Sequence, residues 1–320
     1  MIYIFGKYRK NSRFLYFVVN ILRLFVPSFF YRMRRLWLLS RCKGEIEKRL
    51  KCRADYYCKL DNTARLSPSA TPFRFSIFTG DSRNYQFDLG QYMRYWNTNY
   101  PIEFRFSDAT KLFNFPIFTK ARLIEGDVRN LVVINMDKVR HFDFVNDRNS
   151  YQSKINQVVW RGPAHQPWRI EFLNNFYGKT RCDVGRTDKN PDGIHQRKPW
   201  MSVTEQLNYK FILSIEGNDV ATNLKWIMSS NSLCFMTRPT KETWFMEGLL
   251  KADHHYVMLK NDYSDLIEKM DYYLAHEEEA LAIIQNAHAW VAQFQNPRDE
   301  EIVSLLVLQK YFKMTGSISK

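Results

Sequence analysis

A strand-to-turn segment in the middle of the chain carries residues that could hold an anion. The apolar run at residues 211–215 is followed by Glu-Gly-Asn-Asp, a helical pattern and a second apolar run. Gly217 allows a tight turn and a close approach of a ligand to the backbone, and Asn218 or Asp219 can cap the helix that follows. The start of a helix favours an anion by about 0.3–1 kcal/mol, and Lys225 could add a charge. An ordinary strand-to-helix turn gives the same pattern, so both interpretations stay open.

A second segment of the same kind spans residues 160–169, with the sequence WRGPAHQPWR. Arg161 and Arg169 lie on either side of a turn that contains Gly162 and Pro163. Arginine pairs bidentately with phosphate oxygens, and two such segments from one sheet would point into the same cleft. A diphosphate fits this description, although Arg161 could equally form a structural ion pair.

A carboxylate ends a strand-like run earlier in the chain. Asp108 closes the alternating sequence EFRFSD, and a carboxylate there would face the cleft from the opposite side. It could remove a proton from a hydroxyl group, a role that contributes about 10²–10⁴-fold in rate. The alternative is an aspartate that caps a loop.

Several chemistries are excluded by motif. The chain has no Gly-x-x-x-x-Gly-Lys phosphate loop, no Gly-x-Gly-x-x-Gly, no H-E-x-x-H and no Gly-x-Ser-x-Gly. It also has no Asp-x-Asp pair, which weakens any proposal that two carboxylates hold a metal ion on a diphosphate. The five cysteines match no zinc spacing, and unpaired thiols in a reducing compartment are the simplest account.

The elements that must position these residues alternate between strand-like and helical runs in two successive series. Among them, residues 101–109 are predicted as a strand, 155–162 as a strand and turn, and 91–99, 201–210 and 263–294 as helical. This alternation predicts parallel sheets, with ligands at the carboxyl ends of the strands. The predicted fold class is α/β, with two doubly wound Rossmann-type domains facing across a cleft and a basic amphipathic N-terminal arm. The predicted bounds are residues 1–60 for the arm, 61–150 for the first domain, 151–295 for the second and 296–320 for a C-terminal helix.

The basic charge of the chain is concentrated at its N-terminus. Residues 1–44 contain ten Lys or Arg and no acidic residue, in a chain of net charge +14. Asn20, Arg23 and Pro27 interrupt the apolar run, which argues against a spanning helix, and no signal-peptide cleavage site follows. The pattern favours an interfacial segment on an anionic membrane. A helical hairpin packed on the body is one alternative. A nucleic-acid-binding arm is another, but no known nucleic-acid-binding signature is present.

Together these residues resemble glycosyltransferase family 90, over about residues 100–295. That family includes eukaryotic protein O-glucosyltransferases, fungal capsule xylosyltransferases and bacterial lipopolysaccharide-core sugar transferases. The block that begins at Lys210 is similar to the family's block without a gap, with matches at Phe211, Gly217, Lys225, Ser232, Leu233 and Phe235. The WRG turn followed by Arg169 resembles a second family motif. The run that ends near Asp108 takes the place of the strand before the family's catalytic Asp, and Phe-Thr-Lys at 118–120 resembles a Phe-Ser-Lys element.

The resemblance implies a GT-B fold, a nucleotide-sugar donor that is usually a uridine diphosphate (UDP) sugar, and inversion at the anomeric carbon without a metal or other cofactor. It makes Asp108 the base on the acceptor hydroxyl and places Lys120 on the acceptor side. The residues expected to bind the donor are Arg161, Gly162, Arg169, Gly217, Asn218, Asp219, Asn223 and Lys225. Asn223 departs from the pattern, because many eukaryotic members carry an Arg there, and Asn cannot neutralise a phosphate.

The surroundings of these motifs indicate the subtype. Reduced thiols and a basic apolar N-terminus fit a bacterial cytoplasmic enzyme, peripheral on the inner face of the inner membrane, that transfers a hexose or pentose to lipopolysaccharide core or a related surface glycan. The expected partners are a nucleotide-sugar, a lipid-linked glycan acceptor and an anionic membrane surface bound through residues 1–44. Nucleic acid is not an expected partner. The alternative is a catalytically inactive protein of the same fold that binds a membrane or glycan and has no affinity for nucleotides.

Overall fold

The computed structural model describes residues 13–74, 83–106, 111–189 and 195–319. These residues form two compact units. The C-terminal unit comprises the described residues of Phe142–Pro239 and Leu249–Gln293. The N-terminal unit comprises the described residues up to His141, together with Thr240–Gly248 and the described part of Phe294–Lys320. The predicted domains stay a prediction, since these units describe packing and not independent folding.

The helices and strands are, in chain order, α1 (Arg13–Leu24), α2 (Ser28–Arg41), α3 (Gly44–Tyr57), β1 (Thr71–Pro72), α4 (Arg83–Met93), β2 (Pro101–Ile102), β3 (Phe104–Arg105), β4 (Ile117–Thr119), β5 (Ala121–Leu123), β6 (Leu131–Val133), α5 (Lys138–His141), β7 (Ile155–Gly162), α6 (Pro167–Phe176), β8 (Cys182–Arg186), α7 (Val203–Gln206), β9 (Tyr209–Leu213), α8 (Leu224–Met228), β10 (Leu233–Met236), β11 (Lys241–Thr243), β12 (Val257–Met258), α9 (Leu266–Ala275), α10 (Glu277–Ala292) and α11 (Pro297–Met314).

The C-terminal unit is built on a five-stranded sheet with the strand order β12-β10-β9-β7-β8. All of its strand pairs are parallel. The central strands are continuous apolar runs, such as Phe211 to Leu213 and Leu233 to Met236, and these side chains are buried. Parallel strands have continuous apolar sequences because helices cover both faces of the sheet. Here α6, α9 and α10 contribute Phe172, Met270 and Ile283 to the same core.

The N-terminal unit contains a three-stranded parallel sheet, β3-β4-β6, and two antiparallel pairs, β1-β2 and β11-β5. Helix α11 packs along α3. Strands β5 and β11 are joined by a buried ion pair, in which Arg122 Nε donates to Glu242 Oε1 at 2.7 Å. The ring of Tyr57 in α3 stacks on the ring of Trp244, with the ring centroids 3.9 Å apart. The prediction of an α/β chain with parallel sheets is confirmed. The GT-B arrangement stays a prediction.

The structure shortens several predicted elements. The helical pattern at residues 201–210 forms only the four-residue α7, which a capping box between Ser202 and Glu205 starts. The pattern at 91–99 is helical only to Met93. Of the predicted strand at 101–109, the described residues 101–106 form two short strands, β2 and β3, and residues 107–109 lie outside the described residues. Short amphipathic runs are compatible with both helix and turn, and tertiary packing decides between them.

Candidate functional site

The strand order of the C-terminal sheet marks a crevice. Strand β7 pairs with β8 on one side and with β9 on the other, so the chain first adds a strand on one side of β7 and then continues on the other side. In open parallel sheets, ligands bind outside the carboxyl ends of the strands at such a switch point. The segments that leave β7 and β9 there are residues 163–169 and 214–219. Both were predicted from the sequence to hold an anion.

Arg169 ties these two segments together. It lies in the first turn of α6, which begins with a proline at its first position. Its guanidinium donates to the carbonyl oxygens of Pro163 at 2.9 Å, Glu216 at 3.0 Å and Ile215 at 2.6 Å. One buried side chain therefore fixes the turn after β7 against the turn after β9, and the two predicted motifs meet as expected.

The charge of Arg169 has no carboxylate partner among the residues that the structure describes. The side chain is 8% exposed, and burial lowers its pKa to about 10. The group remains protonated at neutral pH, because this value is still well above 7. The guanidinium also lies 5.6 Å from the ring centroid of Trp160, and the charge of Asp188 acts on it from a distance. Since no carboxylate of the described residues is paired with it directly, the site has a positive potential that an anion would complement.

Gly217 leaves space directly above this cation. A Cβ atom on Gly217 would lie 3.4 Å from Arg169 Nη2 and 3.6 Å from Gln166 Nε2. The Gly217 N–H donates to the carbonyl oxygen of Asp219 at 2.9 Å, which closes the turn. Gln166 Nε2 donates to Asn218 Oδ1 at 3.3 Å, whereas Gln166 Oε1 is buried without a hydrogen-bond partner among the described residues. A ligand at Gly217 would thus meet the guanidinium of Arg169 and the amide nitrogen of Gln166.

The helix after this turn differs from the prediction. Helix α8 has only five residues and starts at Leu224, with Asn223 in the N-cap position. The expectation that Asn218 or Asp219 caps it is wrong, because the chain needs residues up to 223 before helical geometry begins. Asn223 instead donates from Nδ2 to the carbonyl oxygen of Leu213 at 2.9 Å. A helix this short adds little dipole at its start, so the positive potential at the turn depends on Arg169.

Lys225 lies in the interior of the unit and is fully buried. The sequence placed it one to two turns into a helix, where its ammonium group could face the ligand if the helix were turned that way. In the short α8 its neighbours Leu224 and Trp226 are buried as well. Its charge can therefore act on a ligand through the electrostatic field, and direct contact would require a rearrangement.

Arg161 belongs to an ion-pair network at the end of β7. Its Nη2 lies 2.6 Å from Asp183 Oδ1. Asp183 also accepts from Lys198 Nζ at 2.9 Å and from the Tyr209 hydroxyl at 2.7 Å. Burial by itself raises the pKa of Asp183, but the hydrogen bonds from these three residues bring it down to about 2. The structural ion pair that the sequence left open is the arrangement observed.

Two further residues shape the turn after β7. A Cβ on Gly162 would lie 2.9 Å from Cζ2 of Trp160, so the absence of a side chain lets the buried ring pack beneath the turn. Asp188 accepts from the Ala164 N–H at 3.1 Å and pairs with Arg186 at 2.8 Å. Neither Asp188 nor Gln166 was among the site residues predicted from the sequence. The one available signal was their position, since each follows shortly after a strand end.

The predicted acceptor-side residues belong to the N-terminal unit. Lys120 follows β4 directly, is 4% exposed, and its Nζ lies 5.8 Å from the ring centroid of Tyr85. Asp137, at the same carboxyl edge after β6, is fully buried and has a left-handed φ of 58°, a strained conformation that often marks functional positions. Asp108, the predicted base, lies outside the described residues; the strand before it, β3, ends at Arg105.

Within the described ranges, no group of three or more His, Cys, Asp or Glu side chains is arranged so that it could hold a metal ion. The adjacent residues His254 and His255 pack with their ring centroids 4.6 Å apart. His255 Nδ1 accepts from the Lys251 N–H at 3.0 Å, and this explains the position of its ring without a ligand.

Comparison with known proteins identifies the family. A family model described as glycosyl transferase family 90 matches residues 127–315. The chain belongs to glycosyltransferase family 90. O-glucosyltransferase LpsA of Dichelobacter nodosus is 41% identical over 275 residues, which cover 86% of this chain and 86% of that protein. Protein O-glucosyltransferase 2 of Danio rerio is 25% identical over 139 residues, 42% of this chain and 28% of that protein. The resemblance read from the motifs is confirmed, and the chain is a glycosyltransferase with a nucleotide-sugar donor and a glycan acceptor.

Proposed function

We propose that this glycosyltransferase moves a hexose or pentose from a UDP-sugar to lipopolysaccharide core or a related surface glycan. The proposed location of the donor site rests on the buried Arg169, which lies beneath the Gly217 turn at the switch point of the parallel sheet. The acceptor class rests on the similarity to LpsA, which extends over most of both chains. The name of that relative also supports glucose as the first sugar to test.

In the proposed donor complex, the diphosphate approaches the backbone at Gly217 and is held by the charge of Arg169. The three carbonyl oxygens fix the guanidinium before the ligand arrives, so little reorganisation is needed as charge develops on the leaving group. Asn223 supports the end of β9 through its bond to Leu213. Many eukaryotic members carry an Arg at that position; here Arg169 is proposed as the cation that acts on the diphosphate.

The proposed reaction is a single displacement with inversion. The acceptor hydroxyl oxygen attacks the anomeric carbon while the carboxylate of Asp108 takes its proton. The bond from the anomeric carbon to the diphosphate oxygen breaks, and its electron pair leaves with the nucleoside diphosphate. Proton transfer of this kind contributes about 10²–10⁴-fold in rate. Lys120 is proposed to contact the acceptor, and no metal ion is required.

Thermal unfolding with a panel of nucleotides tests this proposal. UDP, GDP, CMP and ADP are compared, each with and without a chelator. A nucleotide at 100 times its dissociation constant stabilises the folded state by about 2.7 kcal/mol. Selective stabilisation by UDP that the chelator leaves unchanged is the expected result, and UDP-glucose turnover with the product anomer assigned by NMR follows. If no nucleotide shifts the transition, the donor site is wrong and the inactive binding protein takes its place.

A further inference from the structure

Helices α1 and α2, the first two that the structure describes, each have exposed apolar side chains. On α1, the side chains of Leu15, Val19 and Leu22 are all substantially exposed, and their spacing of i, i+4 and i+7 places them on one face. Phe25, in the break between the helices, is 79% exposed. Soluble surfaces carry scattered apolar residues, but a continuous apolar surface normally marks a binding site.

Helix α2 carries a second row of exposed apolar side chains. Phe29, Met33 and Leu36 are exposed at the same spacing, and Phe30 and Trp37 flank them. Phe29 is 65% exposed and Phe30 is 61% exposed. We call the exposed apolar side chains of α1, α2 and the break between them the apolar face.

The opposite side of α1 is attached to the N-terminal unit. The Tyr16 hydroxyl donates to Asp88 Oδ1 at 2.9 Å, and the rings of Phe17 and Phe87 lie 5.8 Å apart in an edge arrangement. Arg23 Nη1 donates to Gln91 Oε1 at 3.1 Å. These partners all belong to α4, so α1 is held in one orientation.

Helix α2 is attached in the same way. Arg35 donates to the Tyr95 carbonyl oxygen at 2.9 Å, and its guanidinium lies 4.0 Å from the ring centroid of Trp96. Arg34 makes two hydrogen bonds of 2.7 Å with Glu301 on α11. The N-terminal segment therefore packs on the body, as the hairpin alternative expected, while its apolar face stays exposed.

The charges around the apolar face identify what covers it. Neither α1 nor α2 contains an acidic residue. Arg32 is exposed beside Phe29 and Leu36, and the Arg41 guanidinium lies 5.0 Å from the ring centroid of Trp37. Exposed aromatic rings with Arg at their edge match the boundary between lipid head groups and acyl chains. A second copy of the chain would bring like charges together, which opposes association.

The helices do not fit a spanning arrangement. No single helix of the described residues is long and apolar enough to cross a bilayer; α1 and α2 pass such a test only as a pair, bent by 102°. In a crossing pair, Arg34 and Arg35 would have to leave Glu301 and Tyr95 and enter the hydrocarbon. We propose that the apolar face is a preformed docking surface that lies in the interface of an anionic lipid bilayer.

Docking in this way holds the N-terminal unit at the membrane. Under the proposed function, on which this step alone rests, that unit carries the acceptor side, and the acceptor is linked to lipid. The bilayer would then be the inner membrane of a bacterium, with the enzyme peripheral on its cytoplasmic face. Membrane binding itself needs no catalysis, so its failure and the failure of the transferase proposal can be told apart.

Vesicle binding by the full chain tests the docking surface. Sedimentation with vesicles of phosphatidylcholine alone is compared with vesicles that contain about one third phosphatidylglycerol, since Arg residues favour the anionic surface. Phe25→Ser combined with Phe29→Ser is expected to weaken binding to the anionic vesicles at least about tenfold, because two exposed rings lose their apolar burial. The matched control is Trp200→Ser, since Trp200 is 70% exposed in the C-terminal unit, and it should bind as the wild type does.

A second pair, Met33→Ser with Leu36→Ser, removes the same face from α2 and decides the matter if the first variant unfolds. Wild-type protein that ignores both kinds of vesicle, or variants that bind as tightly as the wild type, would overturn the proposal. The proposal would also be overturned if the wild type forms an oligomer without lipid, the variants are monomeric, and no vesicles are bound. The apolar face would then be covered by a second copy of the chain.

Discussion

Replacing Gly217 by Ala separates a ligand-binding role of this glycine from a structural one. Its φ lies outside the left-handed region, so the backbone accepts alanine. The new Cβ would lie 3.4 Å from Arg169 Nη2 and 3.6 Å from Gln166 Nε2, close to ordinary contact distance. Since alanine also restricts the unfolded chain, by about 0.4–1 kcal/mol in favour of the native state, the free energy of unfolding should change little.

The effect on the donor is expected to be much larger. The methyl group occupies the space through which a phosphate reaches the charge of Arg169, and it would displace the phosphate by roughly 1.5 Å. At an effective dielectric constant of about 20, the attraction between unit charges falls from about 3.3 kcal/mol at 5 Å to about 2.6 kcal/mol at 6.5 Å. A diphosphate with about two charges loses about 1.5 kcal/mol, which weakens UDP binding about tenfold.

Isothermal titration with UDP measures the affinity, and urea unfolding measures the stability of the same samples. Gly162→Ala is the matched control, because a Cβ there would lie 2.9 Å from the buried ring of Trp160, and such overpacking costs about 1–3 kcal/mol. The expected pattern is loss of affinity in the first variant and loss of stability in the second. UDP binding by Gly217→Ala at wild-type affinity would refute the donor site.

Three other perturbations have defined outcomes. Asp108→Asn should lower sugar transfer about 10²–10⁴-fold while the UDP-induced thermal shift is kept, as a product assay and an unfolding scan would show. Arg122→Met leaves Glu242 buried without its 2.7 Å partner and should cost about 3–5 kcal/mol in urea unfolding, whereas exposed Lys48→Ala should cost less than about 0.5 kcal/mol. Burial lowers the pKa of His255 to about 4. As the pH falls, the imidazole of His255 therefore takes up a proton in the unfolded chain before it does so in the folded protein. The free energy of unfolding should fall as pH drops from about 6.5 to about 4, and it should fall less steeply in His255→Gln.

Each of these results has a clear opposite. Full activity of Asp108→Asn would remove that residue from the reaction. Wild-type stability of Arg122→Met would mean that solvent or another residue compensates for the buried carboxylate. An identical pH slope in wild type and His255→Gln would show that other groups cause the acid sensitivity.

The sheet of the C-terminal unit was predictable because its strands are buried on both faces. Residues 155–162 were predicted as a strand and turn, and the strand β7 extends over all of them. The helical pattern from 263 to 294 divides at His276 into α9 and α10, a break that leaves the apolar periodicity unchanged and so gives no sequence signal. The short elements were mistaken because periodicity over four or five residues cannot distinguish helix from turn.

Single residues of the candidate site could be predicted from the sequence, but the contacts between them could not. Sequence patterns found Arg169 and Gly217, since glycines and arginines after strand ends are distinctive. They could not show that Arg161 is committed to Asp183, because the two are brought together by strand pairing across 22 positions of sequence. Nor could they show that Lys225 is buried, because its burial depends on the residue at which α8 begins.

The structure also accounts for the asparagine at position 223. With Nδ2 bound to the carbonyl oxygen of Leu213, Asn223 holds the end of β9 next to Ile215, whose carbonyl accepts from Arg169. The position that carries an Arg in many eukaryotic members therefore supports, in this chain, the strand end whose following carbonyl group binds Arg169. A guanidinium fixed by three carbonyls is preorganised for the leaving group, and fixed charges of this kind stabilise a transition state without the cost of reorienting solvent. Under the proposed function, the departure at residue 223 removes one positive charge from the donor site, and Asn223 acts by supporting the strand end beside Arg169.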